Sequence, residues 1–144
     1  MLSKEETAKL LPHEGPMVFI DRGLEFGDDY ALSSTEIEDD HLAAVEGRVP
    51  AYIGLEMMAQ TIAMWAGYRD QQAGNKPKVG FLLGTRRYHT EVTYLPKNEP
   101  LYARVQEDLV GQNGLSSFCC ELRTADKLIC SARINVFKPT GDDE

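Results

Sequence analysis

A nearly unbroken run of apolar and small residues, Val49–Gly67, constrains this chain more than any other segment. Pro50 stands at the start of the run, and Gly67 and Gly74 stand towards its end. This order is typical of a helix, because proline suits the first turn and glycine suits a C-terminal cap. A helix that is apolar on every side has to be buried. The sequence therefore predicts one long buried helix around which the rest of the chain is arranged.

Two polar residues, Glu56 and Gln60, interrupt the apolar run. They are four residues apart, so their side chains project from the same face of a helix. Burial of an unpaired carboxylate strongly disfavours its charged form, and carboxylates perturbed in this way are common at catalytic sites. We therefore expect Glu56 to be a functional residue. Gln60 either orients the Glu56 carboxylate or is a buried amide that a partner helix satisfies.

The length of 144 residues and the hydrophobic content of 42% are those of one globular domain with a single core. We assign residues 1–139 to this domain and residues 140–144 to an acidic tail. The polar residues Glu56, Gln60 and Thr61 interrupt the central run, so we do not expect it to cross a membrane. The first residues lack the cationic start and apolar core of a signal peptide, and a cytoplasmic location is therefore expected.

The formal net charge of -8 at pH 7 argues against nucleic acids and anionic membrane surfaces as partners. Three cysteines, two of them adjacent, do not make a disulfide framework or a metal site, and we expect free thiols. No two histidines have the helical spacing of metal ligands, and no glycine-rich phosphate loop occurs. The sequence predicts no metal ion or other cofactor.

Strand-like runs lie on both sides of the predicted helix. A capping box that begins at Ser3 predicts a short helix before the first of them. The later runs are separated by short segments of turn residues, so neighbouring strands should pair antiparallel. We therefore predict an α+β fold in which a curved antiparallel sheet of about six strands wraps around one long helix. The predicted strands are Met17–Phe26, Tyr30–Ile37, Val79–Val92, Leu101–Val110, Leu115–Arg123 and Lys127–Phe137.

Two motifs, Leu11–Met17 (LPHEGPM) and Leu55–Gln60 (LEMMAQ), resemble those of the hotdog-fold 3-hydroxyacyl-acyl-carrier-protein dehydratases. The chain looks most similar to the type associated with aryl polyene pigment synthesis, on the evidence of Val49–Tyr52, Gly80–Arg86 and Ile134–Pro139. The resemblance implies a hotdog fold. It also implies dehydration of 3-hydroxyacyl thioesters to trans-2-enoyl thioesters, in a fatty-acid or aryl polyene type of pathway.

In fatty-acid dehydratases of this fold, a histidine in the loop before the helix and an acidic residue on the helix form the catalytic pair. Glu56 matches the acid. His41 lies in the corresponding loop, one residue further from Glu56 than in the family pattern and without the glycine and proline that usually surround it. His13, in the Leu-Pro-His element, is the alternative base or a structural clamp of its loop. His89 is expected to be an ordinary residue on a strand surface.

Dehydration needs a base for the C2 proton, an acid for the departing hydroxyl and donors for the thioester oxygen. Histidine suits the first task and a carboxylic acid suits the second. Backbone N–H groups at the start of the central helix suit the third, because they are unsatisfied there and the helix dipole favours negative charge. We therefore expect Ala51 and Tyr52 to bind substrate, and we assign Gln60 to the same substrate-binding site.

The resemblance also implies partners. The first is an acyl carrier protein, which is acidic and carries the 3-hydroxyacyl chain. We therefore expect a basic set of residues to dock it, namely Lys76, Lys78, Arg86 and Arg87. The second partner is another hotdog subunit, because these proteins are at least dimers that share their active sites. That subunit is either a second copy of the chain or a different hotdog dehydratase.

Two other functions stay open on the sequence alone. The first is hydrolysis by an acyl thioesterase of the same fold, in which the helix carboxylate activates water or attacks the thioester. The second is a non-catalytic role, in which the chain completes a heterodimeric dehydratase. The displaced position of His41 relative to Glu56 motivates the second alternative.

Overall fold

The computed structural model describes residues 1–74 and 81–137, which form a six-stranded antiparallel sheet and one long helix. The helices are α1 (Lys4–Ala8) and α2 (Ile53–Gln72), and short 3-10 turns occur at Gly15–Met17 and Gln112–Gly114. The strands are β1 (Arg22–Phe26), β2 (Tyr30–Glu36), β3 (Phe81–Thr90), β4 (Pro100–Val110), β5 (Leu115–Arg123) and β6 (Leu128–Phe137). Their order in the sheet is β1-β2-β4-β5-β6-β3. The predicted α+β architecture is confirmed.

Helix α2 packs its methionines against the inner face of the sheet. Met57, Met58 and Met64 are 0% exposed and join one core cluster with strand residues such as Phe118 and Ile134. Full burial of one such side chain contributes about 2 kcal/mol. This cluster is therefore the main attachment of the helix to the sheet.

The helix begins later than predicted. Its first residue is Ile53 rather than Val49, because residues 49–51 pair with the segment that follows β3. Leu95 N–H donates to the Val49 carbonyl over 2.9 Å. Gly74 follows the C-cap residue Ala73 with a φ of 78°, as the pattern predicts, whereas Gly67 does not end the helix, which continues to Gln72. The glycine instead allows close packing, since a Cβ at Gly67 would lie 2.3 Å from the carbonyl oxygen of Leu10.

The predicted strand Met17–Phe26 is wrong in its first half. A 3-10 turn occupies Gly15–Met17, and β1 begins only at Arg22. The apolar residues between them are not paired in the sheet. The backbone of Met17 and Phe19 is instead hydrogen-bonded to Gln60 of α2.

The prediction that α2 is buried on every side is also wrong for the single chain. One side of the helix carries half-buried residues, among them Leu55, Ala59, Ala63 and Ala66. The Glu56 side chain is 40% exposed. The apolar sequence therefore indicates a helix with little polar surface. In the folded chain, one side of this helix is not covered.

Three predictions lie outside the described residues: Lys76, Lys78 and the tail at residues 140–144. Among the helices that the structure describes, none has the length and hydropathy needed to cross a membrane.

Candidate active site

Glu56 lies in the first turn of α2, on the side of the helix that remains open. Two groups contact the same carboxylate oxygen. Gln60 Nε2 donates a hydrogen bond of 3.1 Å to Glu56 Oε2, and His13 Nε2 lies 3.4 Å from that atom. The second oxygen, Oε1, has no hydrogen-bond partner in the described part of the chain. The carboxylate is therefore held on one side and free on the other.

Gln60 is fully buried and all its hydrogen bonds are made within its own chain. Its oxygen accepts the Phe19 N–H over 2.8 Å, and its nitrogen donates to the Met17 carbonyl over 2.8 Å as well as to Glu56. A buried amide needs such partners, because leaving its polar atoms unsatisfied would cost about 1–3 kcal/mol. Gln60 thus links the carboxylate to the loop that carries His13.

His13 lies between α1 and the 3-10 turn Gly15–Met17, with 29% of its side chain exposed. Its Nδ1 is buried and has no hydrogen-bond partner among the residues described. The Nε2 edge faces Glu56. The structure thus brings His13 and Glu56, which are 43 positions apart in the sequence, into one pair.

His41 lies elsewhere in the described chain and does not contact Glu56. Its ring packs at 5.1 Å from the ring of Phe19, and its Nδ1 accepts the Ala43 N–H over 3.0 Å. Burial lowers the pKa of His41 from its usual value, so the ring is neutral at neutral pH. Phe19, which packs against His41 and whose N–H is bound by Gln60, links His41 indirectly to the carboxylate. His89, on β3, is exposed and pairs with Glu91.

The start of α2 differs from the prediction at Ala51. Its N–H donates to the Thr93 carbonyl over 3.0 Å, so it is not available to a substrate. Its carbonyl accepts the Gly54 N–H over 2.9 Å and also the hydroxyl of Tyr88 on β3. The Tyr52 N–H has no partner in the described ranges. Sequence reasoning missed Tyr88, since nothing in the sequence links β3 to the start of the helix.

The outer face of the sheet, opposite α2, carries a cluster of arginines. The β3–β6 register shifts between Arg86 and His89, and Arg87 has a φ of 57° inside this bulge. Arg86 pairs with Arg133 in the ladder, so both side chains lie on one face. The bulge adds Arg87, which lines a depression of about 480 Å³ together with Arg104, Asp108, Cys119, Glu121 and Arg133.

Only some of these arginines are neutralised by carboxylates. Arg133 pairs with Asp108 over 2.8 Å, and this contact holds the pKa of Asp108 below its usual range. Arg87 and Arg104 form no ion pair with any residue in ranges 1–74 and 81–137. The outer face therefore presents positive charge on a chain whose net charge is negative.

A family model of the ApeP-like proteins, described as ApeP dehydratase, matches residues 5–144. The chain belongs to this dehydratase family. The resemblance inferred from the motifs Leu11–Met17 and Leu55–Gln60 is thereby confirmed, and membership indicates a dehydratase. No curated protein matches the chain.

Solved structures share the hotdog fold with this chain. The dehydratase heterocomplex ApeI:P from Xenorhabdus doucetiae matches with a TM-score of 0.84 at 24% identity, over 93% of this chain and 91% of that one. A hypothetical thioesterase protein with coenzyme A from Streptococcus pneumoniae TIGR4 matches with a TM-score of 0.64 at 11% identity, over 85% and 88%. The TT0310 protein from Thermus thermophilus reaches 0.62 at 17% identity, over 81% and 89%. At these identities the likeness shows the fold alone.

Proposed function

We propose that the chain dehydrates 3-hydroxyacyl thioesters on an acyl carrier protein to trans-2-enoyl thioesters, and that Glu56 and His13 are the acid and the base. The observation that carries this proposal is the contact pattern of Glu56. One oxygen accepts a hydrogen bond from Gln60 and lies 3.4 Å from His13 Nε2, and the other, which has no hydrogen-bond partner among the described residues, lies beside an open side of the helix. A fixed, accessible carboxylate next to an imidazole suits proton transfer to and from neighbouring atoms of a substrate.

The two proton transfers occur at adjacent carbons. His13 Nε2 takes the proton from C2, which is acidified by the thioester carbonyl, and the C–H electron pair forms the C2=C3 double bond. The C3–O bond breaks, and Glu56 gives its proton to the departing hydroxyl, which leaves as water. Because C2 and C3 are bonded to each other, an acid and a base that face them have to be close together, as Glu56 and His13 are.

The contact between His13 and Glu56 also allows the site to return to its starting state after the reaction. The elimination leaves a protonated imidazole beside a carboxylate anion, at the 3.4 Å separation of Nε2 and Oε2. A proton can then return from His13 to Glu56 without passing through bulk solvent. The pair carries one proton before and after the cycle, and Gln60 keeps the carboxylate in place throughout.

Product analysis tests this function against hydrolysis by a thioesterase. Purified chain is incubated with a 3-hydroxyacyl carrier thioester, and the carrier-bound species are measured by mass spectrometry. We expect a product that has lost one water and is still attached to the carrier. Free carrier and free hydroxy acid would instead mean that the thioester is hydrolysed, and the dehydratase proposal would then be wrong.

The same assay decides between a catalytic chain and a non-catalytic subunit. The neighbour from Xenorhabdus doucetiae is a dehydratase heterocomplex, which supports a second hotdog subunit as a partner for this chain. We propose that this chain carries its own acid and base in either a homodimer or a heterodimer. A complex in which Glu56→Gln has no effect on turnover would assign catalysis to the partner.

We further propose that the arginine cluster on the outer face docks the acidic carrier protein. Arg86 and Arg87 belong to this cluster, and the proposal is supported by Arg87 and Arg104, which form no ion pair within the part of the chain that the structure describes. Opposite charge on two surfaces mainly accelerates their encounter, and salt screens that effect. Docking should therefore act on carrier-linked substrates and not on substrates that lack the carrier.

The double variant Arg86→Ala/Arg87→Ala tests this docking surface. We expect KM for a carrier-linked substrate to rise about tenfold, since each lost rim charge costs up to about 1 kcal/mol. The KM for the same acyl group on pantetheine should not change, and added salt should remove the difference between variant and parent. The control Lys4→Ala/Arg22→Ala removes two cations beside β1, at the other edge of the sheet. Equal effects of both double variants would show that net charge, and not this surface, matters.

A further inference from the structure

The peptide unit between Ala51 and Tyr52 is bound on one side and open on the other. Its carbonyl oxygen accepts two hydrogen bonds, from the Tyr88 hydroxyl and from the Gly54 N–H. Its N–H, which belongs to Tyr52, has no partner within the described residues. Tyr52 is the N-cap residue of α2, four positions before Glu56, so this N–H and the carboxylate belong to the same end of the helix.

Hydrogen bonds to a peptide carbonyl polarise the whole peptide unit. Electron density moves towards the oxygen, and the N–H on the other side becomes a stronger donor, by roughly 10–30% per bond. A donor of this kind is suited to a carbonyl oxygen that gains negative charge during a reaction. Ala51 itself cannot serve, because its N–H is bound to Thr93.

We propose that Tyr88 is a positioning residue that polarises the Ala51–Tyr52 peptide, so that the Tyr52 N–H becomes the donor to the thioester oxygen of the substrate. This inference rests on the proposed function, because it assumes a thioester carbonyl beside Glu56. It assigns a role to a strand residue that does not itself touch the substrate.

The surroundings of Tyr88 favour this role. Its side chain is half-buried, and burial raises the pKa of its hydroxyl, so the group stays protonated and remains a donor. Its other neighbour, Cys130 Sγ at 3.4 Å, is a weak acceptor. Gly54 lets the helix approach the sheet here, since a Cβ at this position would lie 3.1 Å from Leu122 Cδ2 and 3.5 Å from the Tyr88 hydroxyl.

Tyr88→Phe removes the hydroxyl and keeps the ring. Direct oxyanion donors are worth about 10²–10³ in kcat, and a polarising group one bond away should be worth less. We expect kcat for dehydration to fall about tenfold and KM to change less than about twofold. The control Tyr68→Phe removes a hydroxyl from a tyrosine that stacks on Phe26, away from this peptide, and should leave both constants unchanged.

A spectroscopic measurement separates polarisation from a loss of stability. The probe is a saturated acyl-pantetheine thioester without the 3-hydroxyl, labelled with ¹³C at its carbonyl and bound to the folded protein. We expect isotope-edited infrared spectra to show a lower carbonyl frequency when the probe is bound than when it is free. Tyr88→Phe should reverse part of this frequency shift. Replacing Tyr88 with a ring-fluorinated tyrosine, whose hydroxyl is a more acidic donor, should increase the shift.

The outcomes distinguish this inference from the proposed function. An unchanged carbonyl frequency in Tyr88→Phe would overturn the role of Tyr88, whatever happens to turnover. A parent protein that shifts the frequency through Tyr88 but forms no enoyl product would refute the dehydratase and leave the Tyr88 inference standing. A parent that dehydrates substrate without any carbonyl shift would refute the inference alone.

Discussion

Replacing Glu56 with glutamine is expected to lower the rate of carrier-linked dehydration by about 10²–10⁴-fold, which is the usual contribution of a general acid. The amide has the shape of the carboxylic acid but cannot release a proton to the departing hydroxyl. Its oxygen can still accept the hydrogen bond from Gln60, so the melting temperature should stay close to that of the parent. The rate is measured as enoyl thioester formed, with folding followed by circular dichroism.

A neighbouring carboxylate provides the control for this result. Glu14 adjoins His13 in sequence, is exposed and forms no side-chain cap for the 3-10 turn that follows it. Glu14→Gln makes the same chemical change without touching the pair and should retain the parental rate. If Glu56→Gln also retained a rate near that of the parent, Glu56 could not be the acid.

Replacing His13 with glutamine should also lower the rate by about 10²–10⁴-fold, because the site then loses its base. The same change at His41 should lower the rate less than about tenfold, since His41 packs on Phe19 and is bound by the Ala43 N–H. His89→Gln, on the exposed surface of β3, controls for loss of any histidine. Rates are compared at equal folded concentration for all three variants.

The reverse result would change the mechanism and not the function. A large loss in His41→Gln with a near-parental rate in His13→Gln would transfer the base to the loop before the helix. His13 would then only hold Glu56 in place. Imidazole added to the assay provides a further check, because a small external base can restore part of the activity lost with a missing histidine side chain.

The sequence predicted the elements of this fold better than their ends. Period and turn residues define strands such as Leu115–Arg123, whose predicted and observed bounds agree. The sequence predicts a helix start at Val49, which is too early, because proline at a first turn is only a local signal. Pairing of residues 49–51 with residues 93–95 overrides that signal, and no local pattern contains this contact.

The residues of the candidate site also differ in how well the sequence predicts them. Glu56 and Gln60 could be predicted, because both lie on one helix and their spacing fixes their relative position. The contact of His13 with Glu56 and that of Tyr88 with Ala51 join segments that are far apart in the sequence. Such contacts depend on how the loops pack on the helix. The sequence also does not predict that Glu56 is exposed. Apolar composition shows that a helix has little polar surface, but not which side of the helix the rest of its own chain covers.

The hydrogen bonds of Gln60 connect catalysis to local unfolding. This amide binds the backbone on both sides of Val18 as well as the Glu56 carboxylate. If the segment between α1 and β1 opens, His13 leaves the pair, and Gln60 loses in the same event the two backbone partners that hold its amide beside Glu56. The free energy of that opening therefore sets the fraction of molecules that have an intact catalytic pair at any moment. Hydrogen exchange at the Phe19 amide, which Gln60 protects, reports this fraction directly, so activity can decline on warming well before the sheet unfolds.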